Sequence, residues 1–471
     1  MQNKDGKELY GLTAAQRLHF YTLRYCPKKQ VLNIGTSLTI KEDIDFNVLR
    51  EAIYKAYERC ESMRIRFVED EEGNTLQYVA DREEREIEFF DFQGWKMEDA
   101  ESKLREWTET PFDRIESPLN RIVMIIMPDG YKGVYLLVDH MIMDAQSLIV
   151  FLRDVIELYC NMKYEGVPYP EEMSSYIEQL KKDLEYEAGS KAMLKDKQFF
   201  EELISSSEPI FNSIDGVERL QQERIEKGDE TLRAATVTSD NVDANIKVFS
   251  LEADPSSRLM KFCEENNVPM VCLLMMGLRT YLQKMNDNDD VSITSTVARR
   301  ATLAEKHSGG TRIHCFPCRT IVSKEMTFLE GIGEIQKAQN KLFRHANYDP
   351  VSYFGYRTET FKMDLGQTYE PFSLTYQPLT MKAAKTKAGQ TVDFSGIDYK
   401  TNWYSNGVCA HALYLTVMHR PEDNGLNFNF EYQSGRATPE KLEYFYYYLC
   451  KILFEGIENP YKTVGEIINN V

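Results

Sequence analysis

The stretch Lys132-Gly-Val-Tyr-Leu-Leu-Val-Asp139 runs directly into His140-Met-Ile-Met-Asp144, and apolar residues then recur at 148, 151, 152, 155 and 158. No other feature constrains the fold as much. The first part is too continuously apolar for a surface strand and predicts one buried on both faces. The second part has the period of an amphipathic helix over Asp144–Tyr159. A strand that ends in the core and turns at once into a helix needs a tight joint. This joint carries a histidine, and an aspartate stands where the helix begins.

The same mixture of elements continues in both directions. Thr13-Ala-Ala-Gln-Arg-Leu-His-Phe-Tyr predicts a capped helix, Val31–Ile40 a strand and Asp45–Tyr57 a helix. Arg64–Val68 and Leu76–Val79 flank Glu-Glu-Gly-Asn as a hairpin, and Asp129-Gly130 turns between two further strands. Residues 165–240 are different, being polar and helical with Pro168 and Pro170, and predict a linker. Beyond them strands at Ile246–Leu251, Val291–Val297, Ile313–Val322, Phe372–Gln377, Ala412–Met418 and Leu426–Tyr432 alternate with helices at Pro255–Asn266, Pro269–Lys284, Phe328–Phe343 and Pro439–Gly456. A chain of 471 residues exceeds one ordinary core. We therefore expect an α/β protein of two similar lobes, residues 1–175 and 241–471, joined through 176–240.

Composition removes several classes. The net charge of -18 leaves no basic stripe for nucleic acid. The N-terminal Met1-Gln-Asn-Lys-Asp-Gly-Lys has no signal core, and no apolar run reaches membrane-spanning length, so a cytoplasmic protein is expected. The nine cysteines read as free thiols of a reducing compartment, and Cys315-Phe-Pro-Cys318 lacks the second pair that a zinc site needs. No metal is expected. Neither a Gly-x-Ser-x-Gly elbow, a P-loop nor a dinucleotide fingerprint is present in the sequence.

Seven ordered segments resemble the condensation domains of nonribosomal peptide synthetases, which belong to the chloramphenicol-acetyltransferase-like His-x-x-x-Asp acyltransferases. They are Leu12-Thr-Ala-Ala-Gln16, Arg59-Cys-Glu-Ser-Met-Arg64-Ile-Arg-Phe67, Pro111-Phe-Asp-Arg-Ile-Glu-Ser-Pro118-Leu-Asn-Arg121, Asp139-His140-Met-Ile-Met-Asp144-Ala145, Gly310-Thr-Arg-Ile-His314-Cys-Phe-Pro-Cys-Arg319, Pro371-Phe-Ser-Leu-Thr-Tyr-Gln and Phe430-Glu-Tyr-Gln-Ser-Gly-Arg. The resemblance covers essentially the whole chain. It implies two acetyltransferase-like lobes in a V around a central tunnel. Three departures stand out: the first histidine of the family's His-His-x-x-x-Asp-Gly motif is Asp139, its glycine is Ala145, and the asparagine of the latch motif is His314.

The resemblance makes His140 the catalytic residue. An imidazole near its ordinary pKa can take the proton that an amine or hydroxyl loses as it attacks a thioester. It further implies that Asp144 turns away from the substrate and pairs with an arginine, expected here to be Arg64, so that the pair supports the turn. Asp139, Ala145, Ser147 and His314 are candidate channel residues, although Ser147, His314 and His345 each read more readily as structural. Arg299-Arg300 and Lys382–Lys387 are small basic clusters; the first reads more readily as solvated surface than as a contact for a phosphopantetheine phosphate.

The expected activity is condensation of an acyl or aminoacyl thioester with an amine or hydroxyl, giving an amide or ester. The donor is expected on the phosphopantetheine arm of a carrier protein, with acyl-CoA as the alternative. No permanently bound cofactor is expected, and a monomer is. The rival readings are a free-standing acyl-CoA acyltransferase and a catalytically silent binding or scaffold domain.

Overall fold

The computed structural model describes every residue except 1, 2, 5, 82–84, 237–240, 365, 379–382, 386–390, 394–396, 421 and 422. The first half forms strands β1 (Asn33–Ile40), β2 (Glu88–Asp91), β3 (Asn120–Ile126) and β4 (Lys132–Asp139) with helices α1 (Ala14–Tyr25), α2 (Phe46–Arg59), α3 (Met97–Thr108) and α4 (Ala145–Lys163). The side chains of β4 explain its unbroken apolar run. Val134, Leu136 and Val138 enter the core under α2 and α4, while Tyr135 and Leu137 enter a separate core with Trp107 and Leu104 of α3. Because side chains alternate along a strand, β4 supplies both cores at once.

Three helices occupy the linker, α5 (Tyr176–Glu187), α6 (Lys191–Ser206) and α7 (Glu218–Lys227). Each of the first two is capped by a serine, Ser175 or Ser190. The second half contributes β5 (Ala244–Leu251), β6 (Asp290–Val297), β7 (His314–Ile321), β8 (Phe372–Gln377), β9 (Tyr399–Tyr404), β10 (Leu413–His419) and β11 (Leu426–Gln433).

Six of these strands make the second sheet, in the order β5-β11-β10-β8-β6-β7. Its Leu413, Leu415, Val417, Phe428 and Phe430 pack into the largest core, shared with the helices Met270–Asn286, Phe328–Arg344 and Pro439–Glu458. The opposite face carries Thr296, Thr375, Tyr414 and Glu431, whose polarity follows from alternation along the same strands.

β9 does not join that sheet. It crosses to the first and pairs antiparallel with β1, Tyr404 against Gly35 and Trp403 against Thr36, so the first sheet reads β9-β1-β4-β3-β2. Tyr399-Lys-Thr-Asn-Trp-Tyr404 lacks a clean apolar alternation, and sequence reading missed it as a strand. The two sheets are thus tied by a strand as well as by the linker. Among the described residues no helix is long and apolar enough to cross a membrane.

Candidate active site

His140 follows β4 directly. Its backbone N–H donates to the Leu32 carbonyl at 2.7 Å, which holds the strand end against the start of β1. Four residues later Asp144 caps α4. The Ser147 N–H donates to Asp144 Oδ1 at 2.9 Å, and the Asp144 N–H donates back to the Ser147 hydroxyl at 3.0 Å. This reciprocal cap satisfies two groups that a buried helix end would otherwise leave orphaned.

The arginine that meets Asp144 is Arg300, and this corrects the expectation of Arg64. Nη2 of Arg300 lies 2.9 and 3.0 Å from the two carboxylate oxygens, and both side chains are almost fully buried. The Arg312 N–H adds a bond to Oδ2 at 2.9 Å. Burial pushes the Asp144 carboxyl up; Arg300 and the Ser147 and Arg312 donors outweigh it and hold the group below its ordinary value.

Arg64 ends a short 3-10 turn, and its guanidinium is spent on the carbonyls of Ala80 and Glu58, binding the Ile65–Val79 hairpin to the end of α2. It lines an open hollow with Lys55, Arg59 and Tyr169.

Arg300 and Arg299 are likewise no solvated patch. Arg299 adopts a left-handed φ of 51°, and its side chain is 3% exposed. It pairs with Asp183 of α5 at 3.2 Å, and Arg312 reaches the same carboxylate at 3.1 Å. Lys382 and Lys387 of the other basic cluster lie outside the described residues.

Gly310 completes the knot. Its carbonyl accepts from Arg300 Nη2 at 2.9 Å and lies 2.6 Å from the Ser147 hydroxyl. Its φ of +95° disfavours any other residue, and an added Cβ would stand 2.6 Å from the Tyr176 ring.

Of the channel candidates, Asp139, Ser147 and His314 are sealed in the interior, and Ala145 remains half-buried in the first turn of α4. Asp139 has Arg114 at 2.6 Å, and its Oδ1 accepts the Met141 N–H. Burial raises its carboxyl and Arg114 draws it part of the way back. The family's first histidine is therefore replaced by one half of an internal ion pair.

Both ring nitrogens of His314 are occupied. Nδ1 is 2.8 Å from the Ala346 carbonyl and Nε2 3.0 Å from Arg299 Nη1. An arginine only donates and a carbonyl only accepts, so the ring is neutral with its proton on Nδ1. Burial and the Arg299 charge hold its pKa well below the ordinary value. His345 is also occupied, 2.8 Å from Asp196 and stacked on Phe199.

His140 itself is half-buried. Burial lowers its pKa more than the charges of Asp144 and Asp139 raise it, so the ring is a neutral base at physiological pH. Gln16 of the opening motif reaches the neighbouring Met141 carbonyl at 3.2 Å and also meets Gln77 and Tyr176. That gives the motif a role in holding the joint.

Sequence reading missed one neighbour. His19, on α1, stacks on His140 with ring centroids 4.0 Å apart and planes at 27°. A polar residue on the packed side of an amphipathic helix was the available signal.

The condensation domain family model matches residues 7–469. The chain belongs to the condensation domain family. Among curated proteins, this condensation domain is 23% identical over 460 residues to a plipastatin synthase of Bacillus subtilis (strain 168), covering 97% of the chain and 17% of the relative. It is 24% identical to surfactin synthase subunit 1 of the same organism, covering 97% of the chain and 12% of the relative. The chain thus spans less than a fifth of the length of these relatives. In fold, the condensation domain is similar to the first condensation domain of the calcium-dependent antibiotic synthetase in complex with substrate analogue 3a, with a TM-score of 0.77, 19% identity and coverage of 98% and 99% of the two chains. It is also similar to the condensation domain from the monacolin K polyketide synthase MokA, with a TM-score of 0.77, 14% identity and coverage of 97% and 99%.

Proposed function

We propose that this condensation domain joins an acyl or aminoacyl thioester to an amine, with a hydroxyl as the alternative acceptor, and that His140 is its catalytic base. The observation that carries the proposal is a half-buried imidazole, kept neutral by burial, on a joint locked by the Asp144–Arg300 pair. The acceptor nitrogen attacks the thioester carbonyl, the C–N bond forms and the C–S bond breaks. The proton lost by nitrogen passes to the His140 imidazole and from there to the departing thiolate. No acyl-enzyme is needed, and for a weakly acidic amine the positioning of the attacking group contributes as much as deprotonation.

The donor proposed is a phosphopantetheine arm on a carrier protein, entering a tunnel between the lobes. Acyl-CoA would need cations for its nucleotide phosphates. Arg299 and Arg300 are not available for that, since both are spent on internal carboxylates.

The test compares parent and His140→Ala for transfer from an acylated carrier to a primary amine. A loss of about 10²–10⁴-fold with an unchanged denaturation midpoint is expected. Equal turnover would favour a binding role instead. The same acyl group presented on coenzyme A should transfer more slowly than from the carrier.

A further inference from the structure

His19 sits on α1 and is 8% exposed, with Ala14, Ala15 and Gln16 of the same helix also buried. An apolar side chain would fill such a position at no electrostatic cost, whereas a buried imidazole loses hydration and needs partners. Two are present. One face of the ring lies on His140 at 4.0 Å, and Nε2 is 3.2 Å from the hydroxyl of Thr311, which is also buried. Thr311 lies in the irregular segment that leads from Gly310 into β7 of the second sheet. A single side chain thus links the His140 ring, at the end of β4, to the segment that enters β7.

The knot around Asp144 fixes the backbone of the joint. The stack acts on the imidazole itself and restrains its plane. Burial and the charge that His140 carries when protonated hold the His19 pKa well below the ordinary value. Of the two rings, His140 is the one beside carboxylates that favour a proton, Asp144 and Asp139.

We propose that His19 is a positioning residue, a neutral ring that clamps the plane of the His140 imidazole and is itself held by Thr311 from the opposite lobe. The proposal rests on the reading of His140 as the base.

Two arms test it. In the first, imidazole C–H signals of His140 are recorded on isotope-labelled protein without any substrate. They should move downfield in His19→Leu, as the ring current of the stacked neighbour is lost, and stay near the parental position in His19→Phe, which keeps a flat ring. In the second, transfer from an acylated carrier to a primary amine is measured. His19→Leu should lose kcat by about tenfold or more at unchanged KM, because small misplacements of a reacting group are costly, and His19→Phe should restore most of it.

Identical His140 signals in parent and His19→Leu, or parental kcat in His19→Leu, would overturn the proposal. If His19→Leu does not fold, Thr311→Val and Thr311→Ser decide it: a reduced kcat in the first with a parental kcat in the second is expected, and parental kcat in both overturns it. Should His140→Ala transfer as well as the parent, the functional reading fails, and the signal arm still reports on the clamp.

Discussion

Asp144 and Arg300 stand 156 residues apart in the chain, belong to different lobes, and meet at 2.9 Å in the interior. The joint that presents His140 is therefore braced from the second half of the chain as well as from its own.

Removing either partner should unfold the joint more readily than removing Arg64. Loss of one member of a buried, hydrogen-bonded pair costs about 3–5 kcal/mol. Asp144→Ala and Arg300→Ala should each show such a loss by chemical denaturation, and the double variant should cost less than the sum. Arg64→Ala loses two carbonyl contacts and should cost less than Arg300→Ala. The Asp144 carboxyl is lowered in the folded state, so its contribution is complete above the ordinary aspartate pKa and is lost as pH falls through the lower, folded value.

Transfer should stay level through neutral pH. The His140 pKa is lowered, so the base form persists to below the ordinary imidazole value of about 6.5. A profile of kcat/KM against pH should fall on the acid side of that value. A half-maximal point above it would contradict a base held neutral by burial.

Glu431 supplies a pH dependence of the opposite sense. It projects from β11 on the polar face of the second sheet, directly across from Tyr414, and burial raises its pKa to about 7. Between the ordinary glutamate value of about 4.3 and about 7 the folded state holds a proton that the unfolded state has released. Stability should fall as pH rises through that window. Glu431→Gln should remove this slope in a denaturation series, and an unchanged slope would show that the carboxyl titrates elsewhere.

Moving the motif towards the family pattern should weaken the protein. Asp139→His would delete the carboxylate that faces Arg114 at 2.6 Å and place a second basic group in the same buried space. The variant should unfold at lower denaturant than the parent. Arg114→Leu should relieve it in the double variant, because the unpaired charge would then be gone.

Gly310→Ala should cost about 1–3 kcal/mol from its left-handed backbone alone. The added methyl would also press on the Tyr176 ring and displace the carbonyl that Arg300 and Ser147 share. Melting and transfer should decline together.

The sequence by itself determined the elements around the site. The unbroken apolar run of β4, the 3.6-residue period of α4 and the capping aspartate are local patterns, set by which faces each element must bury and which helix-end groups need partners. The order of motifs added the family and singled out His140. Tertiary structure decided the pairings. Arg64 and Arg300 are chemically the same side chain, and arginine is expected at the surface unless a buried carboxylate is within reach; that reach depends on how the lobes pack. Likewise β9 finds its partner in β1 across the whole chain, and His19 is only a helix residue until α1 docks on the joint. Periodicity encodes which way a side chain faces within its own element, whereas the identity of what it meets is fixed by the packing of elements distant in sequence.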